Sequence, residues 1–230
     1  LELLIAISLL SLLSVAILMA LRLGLNATGK ANAKAIANRR VTSVERILQS
    51  EIEGLIPLTA ACRPDPKAPP QRVWFFEGQT QSMRFVSSYS LQEAGRGYPR
   101  ILEFQVIPGE NNRGVRLVVN EQLYTGPEST GALCLGFVRD PMGGGLTALY
   151  APITTGPQSF VLADKLSYCR FGYLRAAPAK MPDFWVPQWN LTLYPRAVRV
   201  DMAPLDADAS RVPLVSVFAP VRSSREASGG

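Results

Sequence analysis

The chain has 230 residues, with 24 Lys and Arg against 18 Asp and Glu, no His, and a formal net charge of +6. Lack of His removes Ser-His-Asp and Cys-His catalysis together with the commonest metal ligand. The basic residues are scattered, with no block of five or six, so the positive charge does not mark a dedicated nucleic-acid surface.

From Leu3 to Leu21 there is no charge, no Pro and no Gly, only Leu, Ile, Val, Ala, Met and Ser. As a helix this run covers roughly 28 Å, close to the hydrocarbon thickness of a bilayer. It is apolar all round, so it predicts a transmembrane helix over 1–21, anchored by Leu3, Leu4, Ile5, Leu9, Leu12, Leu13, Ile17 and Leu21. Glu2 stands at the mouth of the run. An acid there is solvated among headgroups, favours the positive end of the helix dipole, or has a partner on another chain.

Residues 22–54 continue as a helix beyond the span. Ala33, Ala37, Val41, Val44, Leu48 and Ile52 fall on one face, with Lys34, Asn38, Arg39, Glu45, Arg46, Gln49 and Glu53 opposite. Gly24 and Gly29 weaken the helix by ~1 kcal/mol each relative to Ala, and mark either a tolerated weak spot or a hinge. Gly54 and Pro57 are the stop signal.

Residues 55–222 read as a β-rich domain and 223–230 as a flexible tail. A Pro-rich loop over 55–71 precedes strands at 72–76, 83–90, 100–107 and 115–120, the last two joined by a turn over Glu110 to Gly114. Pro127 to Gly145 reads as loop, followed by strands at 146–151, 159–175 (broken once) and 189–202, and by a final run from Pro213 to Ala219. Val198, Val200 and Met202 alternate with Arg199 and Asp201, the pattern of a half-buried strand. Ala176 to Pro187 reads as irregular. The whole predicts an α+β fold in which a long amino-terminal helix packs on an antiparallel sheet.

Cys62, Cys134 and Cys169 have no Cys-x-x-Cys spacing, so zinc is not indicated. One disulfide in an oxidising compartment is expected, with Cys134–Cys169 preferred because it joins two β segments; three buried reduced thiols are the alternative. Gly143, Gly144 and Gly145 lack the Lys-Ser/Thr of a phosphate loop, and Asp206 and Asp208 fall in a turn-like stretch. No cofactor is implied. Phe184, Trp185 and Trp189 could form a binding platform or fill a sheet face.

Leu1-Glu2-Leu3-Leu4-Ile5-Ala6-Ile7 resembles the start of mature type IV pilins and type II secretion pseudopilins. An aromatic strand over 165–173, then Trp185 and Trp189, and then Tyr194-Pro195-Arg196-Ala197-Val198-Arg199-Val200 resemble the J-type minor pseudopilins. The likeness covers most of the chain, strongly over the first thirty residues and around 194–200 and loosely between, where Pro-rich insertions depart from the pattern.

The resemblance implies a pilin-like fold and a minor subunit of the filament tip that initiates pseudopilus assembly for protein export. It implies removal of a basic leader by a prepilin peptidase, and Glu2 pairing with the terminal amine of a neighbouring subunit. It also implies partnership with other minor and major pseudopilins and an inner-membrane assembly platform. The expected location is then the bacterial inner membrane, single-pass in the lipid bilayer, with the carboxyl-terminal domain in the periplasm. A minor type IV pilin acting in pilus priming, adhesion or DNA uptake shares the amino end and is the alternative.

Overall fold

A computed structural model describes residues 10, 12–22, 43–65, 67–139, 146–177, 181–189, 191, 193–205 and 215–221. Antiparallel strands dominate. Their centre is the chain β4 (Ser82–Ser90), β5 (Gly95–Pro108) and β6 (Val115–Leu123), each hydrogen-bonded to the next. The β5–β6 turn is where the sequence places it. Asn111, Asn112 and Gly114 hold φ values of 55°, 57° and 65°, the left-handed region that Asn and Gly enter most readily.

β9 (Phe160–Arg175) runs along β6 with its first half and along β11 (Ala197–Pro204) with its second; β12 (Val215–Pro220) pairs with the far side of β11. The break expected within 159–175 is a register shift near Lys165, which has φ 55°, and not an interruption of the strand. At the other end β3 (Glu77–Gly78) pairs with β4, and β10 (Phe184–Val186) pairs with the end of β9.

The sheet curls so that these ends meet. Phe171 N donates to Thr80 O at 2.9 Å and Trp189 N donates to Gly78 O at 2.7 Å. Gly78 is required there, because a Cβ would lie 2.5–2.9 Å from the ring carbons of Tyr173.

The period-2 alternation of the strands gives the sheet two faces, one enclosed by the curl and one outward. Inside the curl lie Met83, Phe85, Leu102, Phe104, Leu117, Val119, Phe171, Tyr173, Val198 and Val200. Helical residues 43–53 close this core with Leu48 and Ile52, and Val44 packs at its margin. On the other face, Val86 and Ile101 meet Ala60, Cys62, Phe75 and Tyr150. These come from β1 (Thr59–Cys62), the residues after β2 (Gln71–Trp74), and the hairpin of β7 (Cys134–Arg139) and β8 (Leu146–Tyr150).

Cys62 bonds to Cys134 with a Cα–Cα distance of 5.5 Å, tying β1 to β7. The Cys134–Cys169 pairing expected from sequence is therefore corrected. Cys169 points into the inner core, on the opposite side of the sheet from Cys134.

The expected α+β, pilin-like arrangement is also corrected. The described helices are short, at 12–22, 43–53 and Pro127–Gly131, against an eight-stranded sheet and two smaller two-stranded ones. The physical reason lies in the curl. The sheet fills its inner face with its own apolar side chains and leaves the helix over 43–53 to cap one end.

The single-pass inner-membrane location is corrected with it. Among the described residues no helix is long and apolar enough to cross a membrane.

Candidate interaction surface

The outer face of the β9–β11–β12 end carries no covering layer among the described residues. β11 turns Val198, Val200 and Met202 inward and Arg199 and Asp201 outward, as their alternation predicts. In register with Arg199 are Gly172 of β9 and Phe218 of β12. Trp185 of β10 pairs with Leu174 and so projects on the same outer side.

Gly172 has no side chain to fill its own place, and Trp185 and Arg199 lie across it, at 3.6 Å and 3.9 Å from where a Cβ would stand. The Arg199 guanidinium sits 4.7 Å from the Trp185 ring centroid, a cation–π distance. The Phe218 ring meets Trp185 edge-on, at 6.0 Å and 79°. Arg199 Nε lies 2.8 Å from Asp201 Oδ2, and Ser216 Oγ donates to Asp201 Oδ1 at 2.6 Å. Further along the face the Arg170 guanidinium lies 5.5 Å from the Tyr168 ring.

The result is a strip of aromatic and arginine side chains in which Phe218 is 54% exposed. Aromatic residues and Arg dominate the energetics of protein interfaces, because a pre-ordered ring or guanidinium loses little freedom on docking. The strip is suited to gripping another protein.

The three aromatics singled out in the sequence do not act together. Trp185 joins the outer strip. Phe184 pairs with Arg175 on the opposite side of β10, its ring 5.9 Å from that guanidinium. Trp189 is buried, and its indole N–H donates to Leu193 O at 2.6 Å. Phe218 was not singled out, because its value comes only from the β11–β12 register. Of the other expected positions, Leu12, Leu13, Ile17 and Leu21 lie on the helical stretch 12–22 and are exposed. Glu2, Leu3, Leu4, Ile5, Leu9, Gly24, Gly29, Gly143, Gly144, Gly145, Asp206 and Asp208 lie outside the described residues. The thiol of Cys169 is pushed up to about 12 by burial and, secondarily, by Asp201, which makes it a poor nucleophile.

Sequence reasoning also missed a buried ionic cluster on the far face of β4 and β5. Arg84 Nε donates to Glu103 Oε1 at 2.8 Å, Nη1 to Glu77 Oε2 at 3.0 Å and Nη2 to Ala151 O at 2.7 Å. Asn120 Nδ2 donates to Glu103 at 3.2 Å and to Thr154 O at 2.8 Å. Burial raises the Glu77 carboxyl above its usual range, and Arg84 only partly offsets this. With each charged partner occupied by another, the cluster fastens residues 151–154 to the sheet; it is not an open site.

No protein-family model matches the chain, and no curated protein does.

Proposed function

We propose that this chain is a minor pseudopilin of a type II secretion system, a structural subunit that works with other minor and major pseudopilins at the filament tip where assembly for protein export begins. Its role is that of a building part and not of a catalyst. The observation that carries the reading is the opening stretch Leu1-Glu2-Leu3-Leu4-Ile5-Ala6-Ile7, with its acid one residue from the start of an apolar run. Glu2 is then the group that meets the terminal amine of a neighbouring subunit, since opposite charges in a low dielectric compensate each other and either alone is strongly disfavoured.

Two further features support it. The Tyr194 to Val200 motif resembles that of J-type minor pseudopilins, and the second of its two arginines, Arg199, forms part of the exposed strip on Trp185. The Cys62–Cys134 disulfide suits an oxidising compartment.

The test is chemical crosslinking of the full chain in its native cells, followed by mass-spectrometric identification of its companions. Other pseudopilins are the expected companions, and Glu2→Ala should lower their yield without unfolding the β-domain. Recovery of pilus subunits instead would move the assignment to a minor type IV pilin. Unchanged assembly and secretion in Glu2→Ala would remove the role given to that acid.

A further inference from the structure

Glu51 stands on the wrong side of its helix for an acid. Its neighbours Leu48 and Ile52 are fully buried in the inner core, and so is Glu51 itself. Gln49 and Glu53, by contrast, bond to each other at 2.9 Å on the exposed side. Both Glu51 carboxyl oxygens are buried without a hydrogen-bond partner. The hydroxyls nearby are engaged elsewhere. Ser87 Oγ donates to the backbone carbonyl of Glu51 at 2.9 Å, Ser88 Oγ to Gly54 O at 3.1 Å, and Ser90 Oγ to Glu121 Oε1 at 2.6 Å.

The charged groups around it make the placement harder for a carboxylate. From β6 it faces Glu121, whose buried carboxylate also accepts from Leu91 N at 2.9 Å and Gln92 N at 3.3 Å. Arg100 of β5, the cation at this end of the sheet, lies 3.4 Å from Glu121 and 2.8 Å from Glu93 of the β4–β5 turn. β4 contributes the uncharged Ser87 and Ser90.

A second carboxylate here would be desolvated, unpaired and next to a like charge. Neither of its carboxyl oxygens is open to solvent while the helix is seated. Gly54 packs so closely that a Cβ would stand 2.6 Å from Ser87 Oγ, and Ser88 N donates to Gly54 O at 2.8 Å.

We propose that Glu51 is a proton-dependent latch: it is held uncharged between the helix over 43–53 and the sheet, and its ionisation loosens that helix from β4 and β6. Burial, and secondarily Glu121, push its carboxyl up to about 8. The seated state therefore binds the proton more tightly than the released one. Seating is strongest below the ordinary Glu range near 4.5 and is lost as pH rises towards about 8, by up to tenfold in the equilibrium constant per pH unit. The device is independent of the pseudopilin reading.

The test uses the full chain. Carboxyl-carbon NMR should show one glutamate titrating near pH 8, and Glu51→Gln should remove that resonance. Chemical unfolding followed from pH 5 to 8 should lose stability in the wild type. The profile of Glu51→Gln should be flatter, with slower amide exchange over 43–53 than the wild type at pH 8. Glu121→Gln should move the high titration to lower pH without abolishing it. All glutamates titrating below pH 6, or parallel wild-type and Glu51→Gln profiles, would overturn the latch. The NMR titration decides the matter in the unaltered chain even if a variant fails to fold.

Discussion

The Tyr194 hydroxyl accepts from the backbone N–H of Leu58 at 3.0 Å and donates back to the carbonyl of the same residue at 2.9 Å, across 136 positions of sequence. Phe75 O offers that proton a second acceptor at 3.1 Å. One phenol thus satisfies the backbone of the segment before β1 and of the segment after β2, while its ring stacks edge-on against Trp74 and Phe76. Removing only the oxygen, as Tyr194→Phe, leaves a partly buried N–H without a partner. The variant should lose about 1–3 kcal/mol, measured by urea unfolding, with the rings still packed.

The disulfide assignment has a direct check. Peptide mapping of the unreduced protein should join Cys62 to Cys134 and leave Cys169 as the free thiol. With a sequence separation of 72 between the bonded cysteines, loop entropy sets the loss on reduction at roughly 4 kcal/mol. Cys169→Ala should leave the bridge intact.

Gly78→Ala places a methyl into the Tyr173 ring, with contacts under 3 Å. Tyr173 cannot swing away freely, because its hydroxyl donates to Gln79 O at 2.9 Å. A loss of about 1–3 kcal/mol is expected from thermal unfolding, and the smaller substitution Tyr173→Leu should relieve the clash.

Arg84→Met should be among the most damaging single changes, at about 3–5 kcal/mol, because it strands the Glu103 and Glu77 carboxylates. Adding Glu103→Gln should recover part of the loss. A double-mutant cycle read by denaturant midpoint gives the coupling.

Trp185→Ala and Phe218→Ala act on an exposed surface, so each should leave the unfolding midpoint within about 1 kcal/mol of the wild type while lowering crosslinking to companion subunits. Intact crosslinking in the double variant would show that partners dock elsewhere.

The strands were largely legible in the sequence because alternation reports directly on which side of a sheet a residue faces. Arg199 and Asp201 between Val198, Val200 and Met202 locate β11 and its outer face. Asn111, Asn112 and Gly114 locate the β5–β6 turn. The elements that escaped are those whose existence depends on distant partners. β1 lies in a Pro-rich stretch and is defined by β2, while β10 is three residues held by the end of β9. β7 fell inside a span read as loop, because Gly136 interrupts its alternation at a bulge against β8.

The stripe through Val44, Leu48 and Ile52 reports an apolar face, and these residues do pack on the inner core; the part of the expected helix over 23–42 lies outside the described residues. Arg84, Glu51 and the Trp185–Arg199–Phe218 strip carry no local signal. Each depends on the register between strands or on the seating of the helix.

The bridge between β1 and β7 has a bearing on how the molecule is made. Cys62 and Cys134 both emerge ahead of Cys169 when synthesis or export proceeds from the amino end. A nascent chain can lock the correct pair before Cys169 is in reach. A chain diluted whole from denaturant meets all three at once and can choose wrongly, so vectorial delivery should give a higher yield of correctly oxidised protein than refolding does.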